Sequence, residues 1–89
     1  MGQIASTYDI MPESTDIDLQ KVIATIPSVI PAGVELKETS VKPVAFGLEK
    51  VVAFFVIDDS DDGVGEKLEN GLRSIEGISE VANTDSTVL

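Results

Sequence analysis

Regularly spaced acidic residues are the clearest candidates for chemistry in this sequence. From Asp58 onward, polar, acidic and glycine residues fall at positions 1, 3, 5, 6, 9 and 12 of the loop that holds calcium in an EF-hand. They are Asp58, Ser60, Asp62, Gly63, Glu66 and Glu69. The spacing predicts a weak calcium site with Asp58, Asp62, Glu66 and Glu69 as ligands.

A solvated acidic turn before a helix explains the same residues, because carboxylates are favourable near a helix N-terminus. A strand rather than a helix is expected to enter the loop, and Gly65 occupies a position that is usually apolar. Glu69 falls within a predicted helix, and Glu80 and Asp85 could complete a different oxygen site. The sequence leaves both interpretations open.

Composition excludes several other classes of protein. The 89 residues contain no cysteine, which rules out disulfides and thiolate metal sites. They also contain no histidine, so the usual zinc ligand and the usual acid–base group near neutral pH are missing. Sixteen acidic against six basic residues give a formal net charge of −10. This charge repels a phosphate backbone, so we expect no direct binding to nucleic acid. It indicates either simple solubility or a basic protein partner.

An aromatic residue beside a glycine stands out in a predicted loop, residues 42–47. Phe46 precedes Gly47 just before the most apolar run of the chain, outside any core pattern. One interpretation is display toward a partner, since an aromatic ring offers a rigid apolar contact at small entropic cost. The other is that Phe46 folds back over an open sheet edge and extends the core.

The first half of the chain predicts a strand and a helix. Alternation over residues 3–12 suits a strand covered mainly on one face. The apolar residues at helical spacing that follow are Leu19, Val22, Ile23 and Ile26. Thr15 or Asp16 is the expected N-cap, and Pro27 and Pro31 are expected to end the helix.

The second half predicts two strands, a helix and a last strand. An alternating run leads up to Pro43, and the apolar residues 51–57 are typical of a central strand. Residues 62–76 have helical spacing, with Gly77 as a left-handed cap. Residues 78–89 predict a weaker strand whose polar middle is compatible with a bulge.

This order of elements predicts a ferredoxin-like βαββαβ sandwich of α and β structure. Right-handed crossovers place both helices on one face of a four-stranded antiparallel sheet. The fold alone does not give a function. An RNA-recognition module would need stacking aromatics on a basic surface, a copper chaperone would need a cysteine pair, and a phosphate loop would need a Gly-Lys-Ser/Thr run. The sequence has none of these features.

Short motifs along nearly the whole chain resemble the exchange-factor domain of translation elongation factor 1-beta in its short archaeal form. The most specific stretch is P-V-A-F-G-L-E-K at residues 43–50, similar to P-I-G-F-G-I-K-K in eukaryotic members. The segment PESTDIDLQKV and the IDD at residues 57–59 also fit that family. The resemblance implies a guanine-nucleotide exchange factor for elongation factor 1-alpha, without covalent catalysis and without a required cofactor.

The same resemblance assigns the loop phenylalanine of the family to Phe46, as a wedge toward the GTPase. The further residues expected at the partner surface are Lys42, Pro43, Val44, Ala45, Gly47 and Lys50. Eukaryotic members end in a motif with a penultimate lysine, placed near the magnesium site of the partner. Val88 stands at that position here. Because valine carries no charge, we expect Phe46 to do more of the work.

Two other functions remain open: a ligand-binding regulatory domain that acts as a homodimer, and a passive structural subunit of a translation complex. For the exchange factor we expect a single domain over residues 1–89, a monomer and a cytoplasmic location. No stretch has the ~20 consecutive apolar residues of a membrane span, and no signal peptide is recognisable.

Overall fold

Four strands and two helices form the structure, a computed structural model that describes residues 2–58 and 63–89. The elements are β1 (Gln3–Pro12), α1 (Leu19–Val29), β2 (Val34–Ala45), β3 (Leu48–Asp58), α2 (Val64–Arg73) and β4 (Ile78–Val88). The strands pair antiparallel in the order β2-β3-β1-β4. This confirms the predicted ferredoxin-like fold. Among the described residues, neither helix is long and apolar enough to cross a membrane.

The hydrophobic core lies between the two helices and one face of the sheet. It contains alternate residues of β1 and β3, which are Tyr8, Ile10, Val51, Ala53, Phe55 and Ile57, and the helix residues Val22, Ile26, Leu68 and Leu72. The rings of Tyr8 and Phe55 meet edge to face, with centroids 5.9 Å apart. Burial raises the pKa of the Tyr8 hydroxyl above its ordinary value; Glu69 adds to this effect and Arg73 opposes it.

The opposite face of the sheet is not covered by a helix. Val52, Phe54 and Val56 of β3 are half-buried there, because neighbouring strands shield their sides. On the same face, Lys50 Nζ donates a hydrogen bond to Asp9 Oδ2 at 2.6 Å. The two faces of β3 therefore differ in burial although both are apolar.

The start of α1 differs from the prediction. Asp18 is the N-cap: its backbone is extended, and its side chain accepts a hydrogen bond from the backbone N–H of Gln20 at 3.0 Å. Thr15 and Asp16 were the expected caps, and that prediction is wrong. They lie before the cap, in a turn in which Ser14 Oγ accepts from the N–H of Asp16. Sequence pattern rarely separates neighbouring polar residues at a helix start.

The end of α1 also differs, since Pro27 lies inside the helix, which continues to Val29. Proline has no backbone N–H to donate to the carbonyl four residues earlier, and α1 extends only two residues beyond Pro27. Ser28 Oγ donates to the carbonyl of Thr25 at 2.7 Å in this turn. The C-cap is Ile30, whose extended backbone is what a following proline, Pro31, favours.

Two further boundaries need correction. β2 continues to Ala45, so the loop predicted for residues 42–47 shrinks to a two-residue turn. α2 ends at Arg73, where the N–H of Ser74 donates to the carbonyl of Asn70 at 3.1 Å. Gly77 is left-handed as expected, with φ 90°, but it closes the turn that follows the helix instead of capping it. The predicted start of α2 at residue 62 lies outside the described residues.

β4 carries the bulge that its polar middle allowed. The register of β4 against β1 shifts between Thr7 and Tyr8, where Asp85 and Asn83 are their respective partners. Thr84 is therefore the extra residue on β4. Its hydroxyl donates to the carbonyl of Thr7 at 3.3 Å, which ties the bulge to the neighbouring strand.

Candidate functional site

The tip of the β2–β3 hairpin is a turn of two residues with unusual backbone angles. Ala45 pairs with Leu48, which leaves Phe46 and Gly47 as the central residues. Their φ angles are 50° and 83°, both positive, as a type I′ hairpin turn requires. Such turns favour Asn-Gly, because asparagine and glycine tolerate left-handed angles. Phenylalanine is an unusual choice at the first position.

Phe46 is strained and fully exposed. It is the one non-glycine residue with positive φ in the part of the chain that the structure describes, and this conformation costs a bulky L-residue about 1–2 kcal/mol. Its relative exposure is 105%, so packing within this chain does not offset that cost. The interpretation that Phe46 folds back onto the sheet is therefore wrong. Strain without an internal reason is typical of functional positions.

The stem of the hairpin holds the turn in place. Pro43 lies on the edge strand β2, which has only β3 as a neighbour. An edge strand tolerates proline, because one side of it makes no hydrogen bonds to another strand. Val44 forms a bulge, because Pro43 pairs with Glu49 and Ala45 pairs with Leu48. Val44 is also a large apolar residue with 41% exposure, so the tip carries two large exposed apolar side chains, Val44 and Phe46.

The structure separates the two lysines of this region. Lys42 and Lys50 are partners in the β2–β3 register, and Lys42 is exposed. Lys50 forms the ion pair with Asp9, in which the side chains are 27% and 16% exposed. Its ammonium group is thus engaged within the sheet. Sequence reasoning missed Asp9, because the pairing of β1 with β3 creates this contact between residues 41 positions apart.

The acidic residues of the predicted calcium site are only partly described. Ser60 and Asp62 lie outside the described residues. Glu69 Oε1 approaches Arg73 Nη2 at 3.6 Å, one helical turn away, and Glu66 lies in the first turn of α2. Within residues 2–58 and 63–89, no group of three or more acidic side chains is close enough to hold a metal ion. The calcium site therefore stays a prediction.

Two carboxylates considered as additional ligands, Glu80 and Asp85, lie on β4. They pair in register with Met11 and Thr7 of β1 respectively. Because β1 advances by four residues between these two partners, Glu80 and Asp85 stand well apart along the strand. The geometry does not bring them together as one ligand pair.

The residue at the penultimate position, Val88, lies at the far end of the sheet from Phe46. Val88 pairs with Ile4, and the N–H of Leu89 donates to the carbonyl of Gln3 at 2.8 Å. Val88 is 75% exposed. Ile4 also pairs with Ile57 of β3, whereas the turn precedes Leu48 at the other end of that strand, so the two exposed apolar regions do not form a single patch.

Comparison with known proteins gives one consistent family. Residues 5–87 match the family described as the EF-1 guanine nucleotide exchange domain. A protein of Methanothermobacter thermautotrophicus named Elongation factor 1-beta is 39% identical over 85 residues, which cover 96% of this chain and 94% of that protein. A protein of Archaeoglobus fulgidus with the same name is 32% identical over 89 residues, which cover 100% of both chains.

One solved structure is similar in fold. The C-terminal domain of the MgtC protein from Mycobacterium tuberculosis aligns with a TM-score of 0.59 and covers 98% of this chain and 87% of that chain. Its sequence identity is 14%, so the similarity concerns the fold alone.

Proposed function

The chain belongs to the EF-1 guanine nucleotide exchange domain family, and from this membership we propose that it promotes exchange of GDP for GTP on translation elongation factor 1-alpha. The proposal extends to one exchange domain over residues 1–89 that acts as a monomer in the cytoplasm. It needs no covalent step, no cofactor and no direct contact with nucleic acid.

The exposed, strained Phe46 is the observation that supports a wedge mechanism. P-loop GTPases hold nucleotide through phosphate contacts and a bridging magnesium ion. A partner that binds the nucleotide-free form more tightly than the GDP form weakens nucleotide binding by the same factor, because the coupling is reciprocal. In this mechanism the Phe46 ring enters an apolar pocket of the GTPase that is available when nucleotide is absent.

The turn makes Phe46 suited to this role. Two paired strands fix the backbone on either side of it, so little ordering entropy remains to be lost on binding. Pro43 and Gly47 stiffen and shape the hairpin, while Val44 and Ala45 extend its apolar surface. Lys42 is available for a polar contact with the GTPase. Lys50 contributes through its ion pair with Asp9, which holds the base of the hairpin.

Release of fluorescent GDP from elongation factor 1-alpha tests the proposal. Wild-type protein is expected to accelerate release, and Phe46→Ala to lose most of this effect. Truncation of a central aromatic residue costs about 2 kcal/mol or more at an interface, which corresponds to about a 30-fold lower rate. Because Phe46 is fully exposed, the unfolding free energy should change by less than about 0.5 kcal/mol.

Val88→Ala is the matched comparison, since it truncates another exposed apolar residue at the opposite end of the sheet. We expect release within about twofold of wild type for this variant. A folded, fully active Phe46→Ala protein would remove Phe46 from the mechanism. Wild-type protein that binds the GTPase without changing GDP release would be a passive subunit, and a dimer with a saturable small ligand would be a regulatory domain.

A further inference from the structure

A groove lies beside the turn, between the β2–β3 hairpin and the segment that joins β1 to α1. We call it the hairpin groove; its volume is about 250 Å³. Val41, Gly47 and Glu49 line the hairpin side. Residues of the segment 12–20 line the other side, among them Ile17, Asp18 and Leu19. Since Gly47 belongs to the turn, the groove is continuous with the surface that displays Phe46.

The groove combines apolar walls with acidic groups. Ile17, Leu19 and Val41 are half-buried and provide the apolar contacts. Asp18 and Glu49 contribute one carboxylate from each side. The segment 12–20 contains three acidic residues, at positions 13, 16 and 18, and no basic residue. A ligand for this groove therefore needs both an apolar part and a positive charge.

The alternation of β3 places opposite charges on the two faces of the hairpin. Glu49 pairs with Pro43 and faces the groove, whereas the next pair, Lys50 with Lys42, belongs to the other face. Lys50 is held there by Asp9. The hairpin cations are thus directed away from the groove, and they do not neutralise its acidic side.

Both walls of the groove are fixed before any partner binds. The N–H of Glu13 donates to the carbonyl of Gly77 at 2.8 Å, and Ile17 packs so closely on Gly77 that an added Cβ would lie 2.8 Å from Ile17 Cδ1. The cap at Asp18 fixes the start of α1. A preformed groove binds at lower entropic cost than a loop that must first order.

We propose that the hairpin groove receives a lysine or arginine side chain of the same GTPase that Phe46 contacts, an inference that rests on the proposed function. Lysine and arginine pack their aliphatic stems on apolar surface and keep the charged group at a polar rim. Ile17, Leu19 and Val41 offer that surface, and Glu49 and Asp18 offer the rim. The groove thereby selects a basic partner next to the pocket for Phe46.

A charge reversal in the groove tests this proposal, with the same change elsewhere as the control. Glu49→Lys reverses a charge at the groove without touching the cap at Asp18. Glu38→Lys makes the same change on the exposed edge strand β2, outside the groove lining. Affinity for nucleotide-free GTPase is measured at low and high salt, together with GDP release at saturating factor.

We expect Glu49→Lys to weaken binding about tenfold at low salt, with a smaller difference at high salt, because rim charges act through screened attraction. Glu38→Lys should remain within about twofold of wild type. The release rate at saturating factor should stay that of wild type for Glu38→Lys, which lies outside the groove lining. Glu49→Gln should also weaken binding, by less than Glu49→Lys. It replaces Glu49→Lys in this test if that variant does not fold.

Equal affinities for Glu49→Lys and Glu38→Lys would overturn the groove proposal and leave the exchange function intact. So would a loss of affinity that does not depend on salt. Wild-type protein that neither binds the GTPase nor accelerates GDP release would overturn the exchange function, and the groove proposal with it.

Discussion

Two regions differ in what explains their residues. At the contact between the two helices a small residue is required by its neighbours, whereas at the hairpin tip a large residue has no described neighbour that requires it. In α2, Gly71 lies against the backbone carbonyl of Val29 at the end of α1, and a Cβ at this position would clash with it. At the tip, a Cβ on Gly47 would meet nothing within 4 Å, and the large residue beside it, Phe46, is fully exposed. Neighbours inside the chain explain Gly71. Among the residues that the structure describes, no neighbour explains Phe46.

Under the proposed function, this difference separates a residue that serves the fold, Gly71, from a residue that serves a partner, Phe46. A core position is fixed by what surrounds it, so its substitution changes stability first. An exposed and strained position lowers the stability of the free protein, and in the proposed function contact with the partner explains its identity. Stability and exchange should therefore respond independently at the two places.

Gly71→Ala gives the largest expected change in stability. Alanine is favoured over glycine in a helix by about 1 kcal/mol, but here its Cβ would press on the Val29 carbonyl, which cannot rotate away. Overpacking costs about 1–3 kcal/mol, and a clash with rigid backbone belongs at the upper end of that range. After the helix gain is subtracted, we expect a net loss of about 2 kcal/mol in unfolding free energy, measured by urea denaturation. GDP release per folded molecule should be unchanged.

Gly65→Ala is the control in the same helix, because a Cβ there would meet nothing within 4 Å. Helix propensity then acts alone, and we expect a stabilisation of about 0.5–1 kcal/mol. A stabilising Gly71→Ala substitution would contradict the close approach of the two helices. Neighbouring residues would then not explain Gly71.

Phe46→Asn tests the strain at the exposed side. Asparagine tolerates the left-handed angle and gives the preferred Asn-Gly pair, so we expect a stabilisation of about 1 kcal/mol. Exchange should fall as much as in Phe46→Ala, because the ring is lost in both. Urea denaturation and GDP release on the same preparations measure the two effects.

Phe46→Ala is the control for this prediction. Alanine keeps a Cβ at the same positive φ, so the removal of the ring should leave stability nearly unchanged. Equal stabilisation by asparagine and alanine would assign the effect to the exposed ring and not to the backbone. A destabilised Phe46→Asn would show that the ring supports the fold.

The sequence predicted the fold because the order of elements depends on local signals. For Phe46 the local pattern left display and folding back open, and the family resemblance favoured display. Alternation and helical spacing determined the order of elements, and Phe46 stood out because it fell outside every apolar pattern. The type I′ turn was missed, since Phe-Gly is a rare pair for it and the predicted loop was too long. The ion pair of Lys50 with Asp9 was missed as well. It depends on strand pairing, which sequence spacing does not show.

The predicted N-cap of α1 and the predicted end of α1 at Pro27 were wrong for a related reason. Several polar residues before a helix can serve as caps, and tertiary contacts choose among them. The segment before Asp18 is held by Gly77 from a distant part of the chain, which places the cap at Asp18. Boundaries that rest on such distant contacts are the least predictable from sequence.

The smallest expected effect is calcium binding at the end of β3 away from the turn. Asp58 ends β3 and pairs with Gln3, whereas the turn lies at the other end of the strand, directly before Leu48. A site of a few surface carboxylates should bind calcium only in the millimolar range, about 10⁻³ M. Titration followed by backbone amide shifts should therefore move residues 58–69 and leave the hairpin tip unchanged.

Two controls test whether the shifts report a specific calcium site: titration with magnesium and the Glu66→Gln variant. Magnesium demands a stricter geometry than a flexible carboxylate loop offers, so its shifts should be smaller than those from calcium. Glu66 is a predicted ligand in the first turn of α2, and its loss as a carboxylate should weaken the response. Unchanged shifts at millimolar calcium would reject the site, and the acidic residues would then act only as favourable charges at the start of α2. A specific response would instead give the protein a second region, at the opposite end of β3 from Phe46, whose residues are explained by a ligand outside the chain.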